Sequence, residues 1–153
     1  MPVTDHQMVL LMAYLAGEEE VVQRVQAELA ASGAAEGFAE LVYAAFVIAA
    51  RRRFSPAWTR SGVIRFVAEV RALLSEQPGV LDPLAAEQQL RSALGEKMTS
   101  YPAAEDRARA QVILLDALVQ SAALDDAGLR ELLDEARQLA SQMLAGPASA
   151  DSP

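Results

Sequence analysis

Apolar residues recur along this chain at steps of three and four, the period of a helix with one buried face. Seven segments carry that period. The first covers about 5–16, behind Thr4 as a cap, and its second half is apolar all round, which predicts burial on most faces. The second, 18–31, lines up Val21, Val22, Val25 and Leu29 and opens on three glutamates, where the helix dipole favours negative charge. The third, 36–53, holds the longest apolar run, residues 41–50, and closes on Arg51, Arg52 and Arg53. Ser55 then precedes Pro56 and is pushed out of helical geometry. The fourth, 59–76, spaces Val63, Phe66, Val67, Val70, Leu73 and Leu74 on one face, before the break at Gln77-Pro78-Gly79. The fifth opens on Asp82-Pro83, a cap followed by proline in the first turn, and ends at Gly95. The sixth covers 103–122. The seventh covers 125–145 and is stopped by Gly146-Pro147.

No stretch alternates apolar and polar residues with β-branched enrichment, and no Asn-Gly or Asp-Gly turn occurs. The expectation is an all-α fold, a single compact bundle of about seven helices over 4–146. Residues 147–153 form a short disordered tail without a large apolar anchor. Val25, Leu41, Phe46, Val67, Val70, Leu115, Leu118, Leu132, Leu133 and Leu139 are the expected core. The Pro78-Gly79 break could mark two subdomains, but either half alone would have a small core.

Composition narrows the chemistry. The 153 residues are 52% hydrophobic but only 5% aromatic, so the core is built from Leu, Val, Ala and Met. Cysteine is absent, which removes disulfides, thiolate metal sites and a cysteine nucleophile. A single His6 cannot supply the paired Glu-x-x-His motifs of a di-iron bundle. It sits near a terminus, adjacent in sequence to Asp5 and therefore not on the same helix face. No glycine-rich phosphate loop, G-x-S-x-G or H-E-x-x-H is present. The acids at Asp125-Asp126 lack the alternating oxygen ligands of a calcium loop and read as helix caps. The sequence thus predicts no catalytic residue, no metal site and no cofactor. Two acids interrupt apolar runs. Asp116 shares a polar stripe with Glu105, Arg109 and Gln120, so it is expected on an outer face. Glu40 shares its stripe with Tyr43, Ala44, Val47 and Arg51 and is less clearly exposed.

Charge supplies the one unusual feature. The net charge of −8 disfavours nucleic acid and anionic membrane at long range. Yet residues 51–71 hold six arginines against Glu69 alone, a local +5. Arg51, Arg52, Arg53, Arg60 and Arg65, with Trp58 in the connection between them, are the candidate partner-binding residues, expected to be exposed and grouped. Trp and Arg dominate interface hot spots. The bland reading of the same residues is a solvated face, or internal pairing with the surplus of acids. No glycine has the neighbours of a DNA-binding helix-turn-helix.

The functional expectation is a non-enzymatic protein-interaction or regulatory module, with a protein partner of acidic surface. Nucleic acid or another polyanion on the same arginines is the alternative. Self-association is compatible with the sequence, and no membrane partner is expected. The apolar run near the N-terminus has no preceding basic residue, as a signal peptide needs, and no run approaches the ~20 residues of a membrane span. High Ala with Arg in place of Lys fits a GC-rich bacterial genome, and the expected location is the cytoplasm.

Overall fold

The computed structural model describes residues 5–18, 20, 37–54, 57–74, 79, 81–97 and 103–150. Among them the chain is all-helical, with six helices: α1 (Asp5–Ala16), α2 (Phe38–Phe54), α3 (Arg60–Leu73), α4 (Pro83–Ala93), α5 (Ala104–Ala122) and α6 (Asp126–Ala150). The helix expected over 18–31, Val25 included, falls almost wholly outside the described residues, as does the cap expected at Thr4. The chain groups into two compact units, Met1–Ala45 with Leu124–Pro153, and Phe46–Ala123. The division falls within α2 and at the α5–α6 turn rather than at Pro78-Gly79.

In the first unit α1 packs on α6. Leu10, Leu11 and Leu15 are buried on α1, and Leu129, Leu132, Leu133, Ala136 and Ala140 on α6. At the rim Arg137 Nη1 donates to Asp5 Oδ1 at 2.7 Å. Leu139, expected in the core, is only half-buried. At about 100° per residue it lies some 60° round the helix from Ala136, on the flank of the stripe rather than at its centre. The helix also continues through Gly146-Pro147 to Ala150, where a stop and a disordered tail were expected. Proline's fixed φ near −65° is itself helical, although it cannot donate to the carbonyl four residues earlier.

In the second unit α4 packs on both α3 and α5. The buried stripe of α3 is Val63, Phe66, Val67 and Val70, whereas Leu73, expected on the same face, is 81% exposed where the helix ends, and Leu74 beyond it is half-buried. That of α4 is made of small residues, Ala85, Ala86 and Ala93, with Leu90, and it includes one polar side chain, Gln89. The buried amide is satisfied across the helix pair, for Gln111 Nε2 donates to Gln89 Oε1 at 2.9 Å.

Local chemistry fixes several ends. Thr59 Oγ1 accepts from Gly62 N at 3.0 Å at the start of α3, and Asp82 Oδ2 accepts from Ala85 N at 2.8 Å at the start of α4. Asp125 Oδ1 does the same for α6, accepting from Gly128 N at 2.7 Å. Replacing Asp82 by Ala removes the α4 cap and should cost about 0.5–2 kcal/mol, read from the shift in urea midpoint. At the other end of α4, Gly95 adopts φ +103°, so that Gly95 N donates to Ser92 O and Glu96 N to Arg91 O. This paired closure is a Schellman turn, and it needs the left-handed conformation that glycine supplies freely.

Candidate functional site

The arginine-rich segment belongs to the second unit, where it forms the end of α2, the turn at 57–59 and the start of α3. Arg51, Arg52, Arg53, Arg60 and Arg65 are all exposed, and Trp58 is half-buried. The last turn of α2 gathers three cations where the dipole is negative.

These side chains do different things. Arg51 Nε donates to Ala93 O at 2.9 Å, filling one of the carbonyls left open by the last turn of α4. Arg71 Nε donates to Leu81 O at 3.1 Å, just before α4 begins. Two arginines from α2 and α3 therefore hold the two ends of α4. Arg53 stacks its guanidinium 5.5 Å from the Phe54 ring centre and 5.7 Å from that of Phe66. The two rings meet edge to face at 5.6 Å. Among the described residues, internal pairing thus runs to carbonyls and rings for these three, rather than to acids.

Arg60 and Arg65 differ. Arg60, 64% exposed in its side chain, approaches Glu96 Oε1 only at 3.9 Å. Arg65 is exposed and has no ion pair among the described residues. Between them Ile64 turns outward, 44% exposed, off the buried stripe of α3. Ile64 lies one turn after Arg60 and next to Arg65 on the exposed side of α3, six residues after the half-buried Trp58, and these residues make up the surface the segment offers.

Glu96 belongs to the same corner and was not singled out by the sequence reading. The Schellman turn sets residue 96 against residue 91, and there Arg91 Nη2 forms an ion pair with Glu96 Oε2. The signal lay in Gly95, once its role as an αL closure is combined with the charges on either side.

The interrupting acids are both half-buried, which corrects the expectation of an outer-face Asp116. Burial raises the Asp116 pKa, partly offset by Gln120, whose Nε2 lies 3.5 Å from Asp116 Oδ1. The folded chain therefore holds this proton to higher pH than the unfolded chain does. Above the folded pKa, Asp116 subtracts from stability, and as pH falls through that value toward the unfolded one the deficit disappears. Asp116→Asn should accordingly raise the melting temperature at neutral pH, with the gain shrinking in acid.

Residues 46–123 contain ten of the 13 basic residues and eight of the 21 acidic ones, so the acidic excess lies in the other unit. Among the described residues no three acids or histidines gather as a metal site, and no helix is long and apolar enough to cross a membrane. The His6 side chain lies outside the described ones. Comparison with known families, curated proteins and solved structures finds no match.

Proposed function

We propose that this chain is a non-enzymatic helical interaction module of a bacterial cytoplasm, and that its arginine face takes a protein partner with an acidic surface. The observation that carries the reading is the exposed pair Arg60 and Arg65 around Ile64. Among the described residues Arg60 reaches only Glu96, at 3.9 Å, and Arg65 forms no ion pair, whereas Arg51, Arg53 and Arg71 meet carbonyls or rings of neighbouring helices and turns. Arginine forks match carboxylates in two-point contacts, and an apolar centre gives such a contact a part that excludes water. Arg52 is likewise exposed, in the last turn of α2.

A fluorescent poly-glutamate peptide, heparin and duplex DNA serve as probes at low ionic strength. Saturable binding of poly-glutamate, lost in Arg60→Glu/Arg65→Glu with the melting temperature unchanged, is the expected result. Binding of DNA or heparin with a steep salt dependence and none of poly-glutamate would move the assignment to nucleic acid or another polyanion. Equal binding by wild type and the double variant would remove this surface from consideration.

A further inference from the structure

Two cations of unequal burial converge on one carboxylate at the end of α4. Glu96 Oε2 is held by Arg91, whose side chain is only 19% exposed, while Glu96 Oε1 faces Arg60, which is 64% exposed. The hold on Glu96 is therefore lopsided. Arg91 is fixed in the wall of the unit, and its Nε is buried without an acceptor, so Glu96 is the one acid among the described residues that it meets. Arg60 stands at the limit of ion-pair distance in solvent, where such a contact contributes little and is readily exchanged.

From this geometry we infer that Glu96 is a built-in competitor for the arginine surface. It is a carboxylate of the chain's own, presented to Arg60 in the place where an acidic partner's carboxylate would sit. The inference rests on the reading of that surface as an acidic-partner site. The turn that presents Glu96 is rigidly specified. Gly95 closes the helix in the left-handed conformation, Glu96 N is bonded to Arg91 O at 3.0 Å, and Arg51 ties the same end of α4 through Ala93 O. The competing carboxylate is thus held at high local concentration and costs no ordering when the surface is free. An incoming acid has to displace it from Arg60 or bind beside its negative charge. Either way affinity is lowered, and the surface selects for partners carrying several acids rather than one.

The test compares Glu96→Gln, Glu96→Asp and Glu69→Gln with wild type, using the poly-glutamate peptide as probe and the melting temperature as a check on folding. Glu69 is exposed on α3 one turn from Arg65, with no ion pair among the described residues, so its replacement removes equal charge beside the other surface arginine while leaving Arg60 and Glu96 as they are. Glu96→Gln should bind the probe roughly threefold to tenfold more tightly, the size expected for removing one charge about 4 Å from a surface cation. Glu69→Gln should stay within about twofold of wild type. Glu96→Asp keeps the charge but draws it back by one methylene, and should fall between wild type and Glu96→Gln. If Glu96→Gln fails to fold, Glu96→Asp, which still offers Arg91 a carboxylate, decides the matter alone. Wild-type affinity in both Glu96 variants, or the same gain in Glu69→Gln, overturns the inference while leaving the surface assignment in place. If neither wild type nor any Glu96 variant binds poly-glutamate, the surface assignment fails, and the inference falls with it.

Discussion

Leu133→Ala should lower the stability of the chain by about 2–5 kcal/mol, the range for truncating a fully buried leucine whose surroundings relax only in part. Leu133 is 1% exposed, in the middle of the α6 stripe formed by Leu129, Leu132, Ala136 and Ala140. Two of those four neighbours are alanines, which have no side-chain length with which to refill a hole. The cavity term should therefore add nearly in full to the lost transfer energy. Leu139→Ala serves as the internal comparison, since Leu139 is half-buried on the flank and part of its surface is already wet. Its loss should be well below that of Leu133. Leu133→Met, which conserves volume, should cost less than about 1.5 kcal/mol. Urea unfolding of the three variants, with unchanged m-values, is the measurement. A loss below about 0.5 kcal/mol for Leu133→Ala would mean that α6 does not bury this face.

What the sequence made legible was chemistry that acts over one or two turns. Thr59, Asp82-Pro83, Gly95 and Asp125 mark helix ends because a cap needs only its own side chain and a backbone group three residues away. The α3 stripe was readable because its core positions are large and its outer positions mostly polar or small. What escaped depends on partners distant in sequence. Nothing near Gln89 announces that Gln111, on the next helix, completes its amide, so a polar residue on the buried face of α4 could not be expected. Gly146-Pro147 has the composition of a stop, yet α6 runs past it to Ala150. Asp116 looked exposed because its stripe is polar along α5. It is half-buried all the same, and the stripe alone does not show that.

The candidate site shows the same limit more sharply. Six arginines within 21 residues are visible as a run, and the exposure of five of them, all but the half-buried Arg71, follows from charge alone. Their division of labour does not. Arg51 meets a carbonyl 42 residues away, and Arg71 one that lies across the break between α3 and α4. Spacing carries no sign of either bond.

That division makes the last expected result a contrast between two double variants. Arg51→Met/Arg71→Met keeps the aliphatic stems and removes the two guanidinium groups that donate to Ala93 O and Leu81 O. Each bond joins a charged donor to a neutral acceptor, a class that contributes about 1.5–3 kcal/mol. Both donors are partly solvated, which argues for the lower end, about 1.5 kcal/mol each. The two sites lie at opposite ends of α4, share no partner, and should add. A loss of about 3 kcal/mol would reach unit Phe46–Ala123 through the helix that α3 and α5 both pack on. Arg60→Glu/Arg65→Glu removes no hydrogen bond that holds two helices together, since Arg60 only approaches Glu96 at 3.9 Å, and should leave the urea midpoint nearly unchanged. Binding should sort the pairs the other way. Near-wild-type affinity for poly-glutamate is expected of folded Arg51→Met/Arg71→Met, and loss of binding of Arg60→Glu/Arg65→Glu. If the Arg60/Arg65 reversal unfolds the chain as readily as the Arg51/Arg71 pair, the whole run is structural framework, and the exposed guanidinium groups at the start of α3 are there to hold α3 rather than to meet a partner.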